Sequence, residues 1–564
     1  MQRDKPSVKA WPKRLPAVLE PPAITLWDSL AVNARRYPQR TALAFLNGNI
    51  SYQQLKGTSE RLAGRLQALG VQRGDRVLVV MQNCPQLVIA HFAIARANAV
   101  VVPVNPMNRA EELRHYITDA QAKVAITTAD LAGELAAASN ESEFGSHLEH
   151  LIVGHYTDVF SEEEQLAIPQ RWRDWLTARH PSPNLVHGTV LQWRDAIQAG
   201  DVPAELLINR DDLALLPYTS GTTGLPKGCM LPHSSIMHNA MTMSFWTSST
   251  PEMVSLAVLP LFHITGLVCV MHASIFSGGT MVIMPRWDRE VAGQLISQYR
   301  VSHWTSIPTM IIDLLASPRL DSYDLSSLVY IGGGGAAMPQ AIAERLLEQF
   351  GLKFVEGYGL TESSAVTLMN PCDTPKLQCL GIPFISVDAR IIDLDSGHEV
   401  ADGELGEIVV HGPQIFQGYW KREEATKDAF MTIDGKRFLR TGDIGYTDQD
   451  GYFFITDRLK RMINASGYKV WPAEIEALMF QHPGVQEVCI IGSTDTYRGE
   501  TVKALVVRKP SYGDLTAQGV IEWCRTQVSA YKVPRIVEFV DALPKNASGK
   551  VMWRALQEAK SADK

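Results

Sequence analysis

Paired cysteines, long apolar runs, internal repeats and a strong charge of either sign are all missing from this 564-residue sequence. The seven cysteines (Cys84, Cys229, Cys269, Cys372, Cys379, Cys489 and Cys524) form no C-x-x-C pair and no zinc-finger spacing. That excludes a small disulfide-stapled module and fits buried thiols in a reducing compartment. Lys plus Arg number 53 against 60 Asp plus Glu, a net charge of −7, which argues against wholesale electrostatic binding to nucleic acid but leaves room for a local cationic pocket. The absence of a fixed-period repeat argues against a solenoid or propeller. Residues 87–104 are apolar but interrupted by His91 and Arg96, and residues 266–276 are too few to span a bilayer, so peripheral membrane contact is the only membrane association left open. The basic N-terminal segment is broken by five prolines and carries neither an apolar core nor a small-residue cleavage site, so the expected address is the cytoplasm.

What is present is an ordinary globular composition, 46% hydrophobic and 20% charged, long enough for about three or four compact units. Residues 28–130 alternate helical patterns with short β-rich runs, predicting a mostly parallel sheet with covering helices. Ligands are then expected beyond the strand ends. Residues 131–205 are less regular and read as a variable insertion. The alternation resumes from Asp212 to about Tyr358, and residues 359–459 read as a small β-rich unit. After Lys460 a compact α+β tail of about one hundred residues follows. The charged run at 457–461 marks the expected boundary, giving an N-terminal domain of 1–459 (28–211, 212–358 and 359–459) and a C-terminal domain of 460–564.

The most informative segment is residues 218–228, YTSGTTGLPKG, which follows a predicted strand. Tyr218, Thr219, Ser220, Thr222 and Thr223 supply hydroxyls, Gly221, Gly224 and Gly228 allow close backbone approach, and Lys227 adds positive charge. A loop that holds polyphosphate needs those properties. It is not a Walker loop, because that pattern needs G-x-x-x-x-G-K-[ST], whereas here Lys227 precedes Gly228 and Cys229 follows. Reading onward, the chain carries LPLFHITG (259–266), GGGGAA (332–337), EGYGLTE (356–362), GELGEI (403–408), RTGD (440–443), DRLK (457–460), SGYK (466–469) and PKNASGK (544–550).

In order and spacing these motifs, over residues 28–555, resemble the adenylate-forming superfamily of acyl-CoA synthetases, luciferases and peptide-synthetase adenylation domains. The resemblance implies an α/β fold: a large N-terminal domain of two mostly parallel sheets with flanking helices and a small β-rich subdomain, then a separate small α+β domain that moves. It also implies a two-step reaction. A carboxylate attacks the α-phosphate of ATP to give an acyl-adenylate and pyrophosphate, and the thiol of coenzyme A then displaces AMP. Positive charge is needed to bring two anions together. The resemblance gives that part to Lys550, with Mg²⁺ held at Glu362 and Thr222 and a phosphate contact at Thr361. A single carboxylate plus substrate phosphates suits Mg²⁺, and a Glu after Thr361 also suits a helix cap. Thr219, Ser220, Gly221, Thr222, Thr223, Gly224 and Lys227 are expected at the ATP phosphates. Gly334, Ala336, Glu356, Gly357, Tyr358 and Gly359 form the walls around adenine, with Tyr358 stacking on the base. Asp443 meets the ribose hydroxyls, Arg458 is matched to a ribose and phosphate contact, and Ile455 is placed among the cofactor-binding residues. Relatives usually place a Trp where this chain has Phe438, after the charged pair Lys436 and Arg437, so altered packing is expected there. Lys460 matches the hinge position, and Ser466, Gly467 and Lys469 match the coenzyme A tunnel.

For the acid, the resemblance places His263 at the carboxylate pocket, with Thr265, Gly266, Leu267, Ile307, Thr309, Met310, Gly333 and Gly335 as lining. Leu267 stands where some long-chain relatives carry a Trp gate. None of these residues offers a charge for a polar acid, and an unpaired buried charge would be costly, so a medium or long fatty acid is favoured. Gly266 either leaves a tunnel open or permits close helix packing. The alternatives are a short, branched, sulfur-containing or aryl acid, a carrier-protein acceptor, luciferase-like oxygenation and a non-enzymatic nucleotide binder. A homodimer is the expected assembly, if any.

Overall fold

The computed structural model describes residues 9–46, 48–142, 147–159, 170–219, 225–335, 337–465, 468–495, 499–545 and 551–561. The chain divides into two compact units, one of residues 1–389, 410–439 and 450–452, the other of 390–409, 440–449 and 453–564.

Among the described residues the first unit contains two nine-stranded sheets. One has a parallel centre in the order Phe354–Leu360, Tyr330–Gly333, His303–Ser306, Val254–Ala257, Thr280–Ile283 and Thr41–Phe45, flanked by antiparallel edges at Ala365–Met369 and Gly48–Ser51. The other runs Gly418–Tyr419, Lys227–Pro232, Leu213–Leu215, Val100–Val104, Arg76–Val80, Val124–Thr128, His150–Gly154 and Thr189–Gln192, with Tyr218–Thr219 on its margin. The run VVVPV at 100–104 is buried at every position, which is how a parallel strand covered on both faces reads. Helix starts follow the side chains: Thr25 and Ser51 each form a reciprocal capping box, with Asp28 and Gln54 respectively, and Asp288 caps the helix Arg289–Tyr299.

Two sequence expectations are corrected here. Residues 131–205 are no mere insertion: His150–Gly154 and Thr189–Gln192 extend the second sheet in parallel register. The sheets also do not divide at residue 211, since residues 41–51 join strands from beyond 254.

In the second unit, strand Phe453–Arg458 pairs antiparallel with residues 443–447, and the sheet of Tyr468–Val470, Ile463–Ala465, Gly499–Arg508, Val485–Asp495 and Ile536–Phe539 packs against Pro472–Met479 and Ala517–Arg525. Residues 390–409, 440–449 and 453–459 group with the C-terminal unit, where the Asp457 carboxylate accepts the Ala473 N–H at 2.6 Å; the expected boundary at 459/460 is carried forward as part of the proposal below.

Residues 266–272 form a π-helix, a wide turn that often marks functional segments. A Cβ on Gly266 would stand 2.3 Å from Pro260 O, so of its two readings close packing is the one observed. At the far end of the turn, His272 Nε2 lies 2.9 Å from His91 Nε2, both rings buried. Burial, then neighbouring imidazoles, pulls His91 down to about 3 and His272 well below the ordinary 6.5. A depressed imidazole stabilises the fold above its unfolded pKa, and that contribution is lost as pH falls, because only the unfolded chain then takes the proton. Below pH 6.5 each ring is expected to cost about 1.4 kcal/mol per pH unit. The thermal midpoint should drop between pH 6.5 and 5, and the doubly substituted His91→Gln, His272→Gln chain should show a shallower slope. An unchanged slope would remove the pair as the titrating element.

Candidate functional site

The strand Lys227–Pro232 faces Tyr218–Thr219 in antiparallel register, placing Lys227 opposite Thr219 and Gly228 opposite Tyr218. A Cβ on Gly228 would come within 2.9 Å of the Leu216 side chain, which explains glycine there. The Lys227 ammonium stands 5.3 Å from the centre of the Tyr419 ring, a cation–π distance. Ser220, Gly221, Thr222, Thr223 and Gly224 lie outside the described residues.

Strand Phe354–Leu360 leads into a 3-10 turn at Thr361–Ser363. Tyr419 donates its hydroxyl to Glu362 Oε1 at 2.7 Å, and the Phe416 N–H donates to the Glu362 carbonyl at 2.9 Å. Burial and the adjacent Glu362 charge push the Tyr419 phenol well above its ordinary pKa, so the proton stays on the phenol, which donates to the carboxylate. Thr361 and Glu362 are half-buried. A carboxylate with one oxygen oriented by a phenol among the described residues fits a hard dication completed by phosphate oxygens. Tyr419 was not anticipated from the sequence. The GYW triplet at 418–420 is its only local mark, and its partner lies 57 residues away.

Glu356 is buried, and its carboxylate accepts the Met338 N–H at 2.6 Å and the Cys379 N–H at 3.1 Å. Burial outweighs these bonds and raises its pKa. The side chain thus fastens the backbone that follows the glycine run. A Cβ on Gly334 would stand 2.2 Å from Gly357 O and one on Gly359 1.4 Å from Ala365 O, so both glycines serve close backbone approach. Gly357 and Tyr358 are half-buried and precede Gly359 on the same strand, while Ala336 lies outside the described residues. Glu356→Ala would leave two buried N–H groups without acceptors, at about 1–3 kcal/mol each. The expected results are a lower thermal midpoint and a raised KM for ATP, both smaller in Glu356→Gln. Wild-type values for the alanine variant would refute this role.

On the acid side, His263 is exposed and its Nδ1 accepts the Thr265 N–H at 3.4 Å. Thr265 is half-buried, whereas Gly266 and Leu267 are buried in the π-helix. Ile307 immediately precedes the helix Pro308–Leu315, with Thr309 exposed and Met310 half-buried in its first turn. Gly333 ends its strand and Gly335 follows in the left-handed region, φ +86°. Phe438 is fully buried, its ring 5.4 Å from His411.

In the second unit, Asp443 and Arg458 are cross-strand partners, and Arg458 Nε lies 3.1 Å from Asp443 Oδ1. Asp443 is 1% exposed, and its N–H donates to Thr441 Oγ1 at 3.1 Å. The preceding turn is tied by Glu407, which accepts from Gly442 N–H at 3.0 Å and from Arg440 Nη2 at 2.7 Å. Ile455 is 44% exposed on the same strand as Arg458. Lys460 sits in the 3-10 turn Leu459–Arg461. Arg461, just beyond it, is anchored through Glu476, which also accepts the Ile490 N–H at 2.7 Å. Lys469 belongs to the strand Tyr468–Val470, while Ser466, Gly467 and Lys550 lie outside the described residues.

Residues 30–420 match the family described as AMP-binding enzyme, and residues 474–550 match the AMP-binding enzyme C-terminal domain. The chain is 35% identical to a long-chain-fatty-acid–CoA ligase of Bacillus subtilis over 99% of this chain and 98% of the relative. It is 35% identical to a feruloyl-CoA synthase of an Amycolatopsis species over 92% of this chain and 96% of the relative. Among solved structures, ATP-bound MatB from Rhodopseudomonas palustris superposes with a TM-score of 0.78 at 29% identity, covering 96% of this chain and 100% of that one.

Proposed function

The chain belongs to the AMP-binding enzymes, and from that premise we propose that it activates a medium- or long-chain fatty acid with ATP through an acyl-adenylate and transfers the acyl group to coenzyme A. It is an AMP-forming acid–thiol ligase. The observation that carries the reading is Glu362, a carboxylate oriented by Tyr419 at 2.7 Å on the same unit as Lys227 and its strand partner Thr219. Mg²⁺ would be held there by Glu362 with Thr222, and it would supply charge neutralisation on the phosphates. Lys227 adds a fixed cation beside that site. Asp443, with Arg458, offers a carboxylate suited to accept from a vicinal diol. Lys550 would bring the charge that lets carboxylate and α-phosphate meet, and Lys460 would be the hinge that exchanges Lys550 for residues 466–469 between half-reactions.

The apolar character of Leu267, Ile307 and Met310 favours an alkyl chain. The second reading, an aryl acid, is favoured by the feruloyl-CoA synthase match. Among the described residues no helix is long and apolar enough to cross a membrane. A cytoplasmic address, peripheral membrane contact and a homodimer belong to the same proposal. The deciding experiment is pyrophosphate release from ATP and Mg²⁺ with saturated acids of graded length and with aryl acids, with and without coenzyme A. Release that is strongest with alkyl acids of about eight or more carbons supports the first reading, and release confined to aryl acids supports the second.

A further inference from the structure

The helix Ala110–Ala120 supplies no group to the chemistry above, yet two of its side chains reach the strand pair that carries Lys227. His115 and Asp119 are four residues apart and so share one helix face. His115 Nε2 lies 2.8 Å from Pro226 O, and since a carbonyl oxygen only accepts, the ring donates from that nitrogen. Tyr218 donates its hydroxyl to Asp119 Oδ2 at 2.8 Å. One helix face therefore grips both flanks of the pair, at the residue before Thr219 and at the residue before Lys227.

Asp119 reaches a second segment as well. Its Oδ1 accepts from Arg422 Nη2 at 2.9 Å, and its backbone carbonyl accepts from Trp420 Nε1 at 3.0 Å and from Lys421 Nζ at 3.1 Å. Residues 420–422 directly follow Tyr419, whose hydroxyl orients Glu362. The Gly418–Tyr419 strand in turn pairs with Cys229 and Met230, two and three residues after Lys227. The Asp119 side chain is 9% exposed, an environment in which such bonds are stronger than in water. A single carboxylate thus ties the strand pair of Lys227 to the strand that holds the Glu362 carboxylate.

We propose that Asp119 is a positioning residue for the adenylation half-reaction: through Tyr218 and Arg422 it fixes Lys227 and Glu362 relative to each other before ATP and Mg²⁺ arrive. The proposal rests on the functional reading above. It adds a residue outside every motif of the resemblance, and it assigns that residue to one half-reaction only. Preorganised charge is worth most when its supports do not move during the reaction.

The test uses the full chain with Asp119→Ala, Asp119→Asn and Tyr218→Phe. Asp119→Ala is expected to raise KM for ATP about tenfold or more and to lower the adenylation rate about tenfold, as loss of charge-assisted bonds implies. KM for the acid and thioester formation from supplied acyl-adenylate should stay within about twofold by the same argument. Asp119→Asn keeps an acceptor for Tyr218 and should recover part of the loss. Adding Tyr218→Phe to Asp119→Ala should cost nothing further, because the bond it removes is already lost with the carboxylate. A folded Asp119→Ala chain with wild-type KM for ATP, or equal losses in both half-reactions, would overturn the proposal. Should Asp119→Ala fail to fold, Tyr218→Phe alone decides: a raised KM for ATP supports positioning and an unchanged one overturns it. The thermal shift induced by ATP and Mg²⁺ without acid gives a separate reading, expected to shrink in both variants. A wild-type chain that shows this shift but releases no pyrophosphate with any acid would sink the functional reading and still test Asp119.

Discussion

Replacing Lys550 by alanine is expected to lower acid-dependent ATP–pyrophosphate exchange by about a hundredfold to a thousandfold, the scale on which loss of a preorganised charge acts. The reason lies in the chemistry of the first step. A carboxylate must approach a polyphosphate, and both are anions. A positive group placed between them stabilises the charge that builds on the α-phosphate more than it stabilises the separated reactants, which is the condition for raising the rate. The second step has no such need, since the thiol attacks an acyl-adenylate whose carboxyl charge is already spent in the mixed anhydride. Thioester formation from supplied acyl-adenylate should therefore survive within about threefold in the same variant, a ratio that single-turnover measurements resolve. Equal loss in both half-reactions would remove Lys550 from this role.

The second large effect is expected at Glu362. Glu362→Gln keeps an acceptor for the Tyr419 hydroxyl, which now stands at 2.7 Å, but removes the negative charge. Adenylation is expected to fall about a hundredfold and the Mg²⁺ concentration for half-maximal rate to rise by about an order of magnitude, since the proposed Mg²⁺ site would lose one anionic oxygen from few protein ligands. Tyr419→Phe should show a smaller change in the same direction, because the carboxylate then keeps its charge and loses only its orientation. Titrating Mg²⁺ at saturating ATP separates the two variants. A Glu362→Gln chain with normal Mg²⁺ dependence would make the carboxylate a structural group alone.

How much of this was legible in the sequence depends on the range of each interaction. The parallel strands were, because runs such as residues 100–104 are apolar at every position and have helical patterns on either side. The stretch around Lys227 stands out in the sequence because its hydroxyls, glycines and lysine fall within eleven residues, and its phosphate role belongs to the proposal. The strands at His150–Gly154 and Thr189–Gln192 were obscured, since each is short and set among polar residues. The contacts that orient the site were invisible for a different reason: Tyr419 meets Glu362 across 57 residues, Asp119 meets Tyr218 across 99, and Glu356 meets Met338 and Cys379 across 18 and 23. No periodicity encodes such pairs. Gly266 shows the converse limit, where sequence left two readings open and the 2.3 Å approach to Pro260 O selects close packing.

The account turns on activation through an acyl-adenylate, and isotope exchange between pyrophosphate and ATP in the absence of coenzyme A tests it most directly. With a fatty acid and Mg²⁺ present, label should enter ATP without any thiol. Label that enters only once coenzyme A is added, or phosphate and ADP formed in place of pyrophosphate and AMP, would contradict it.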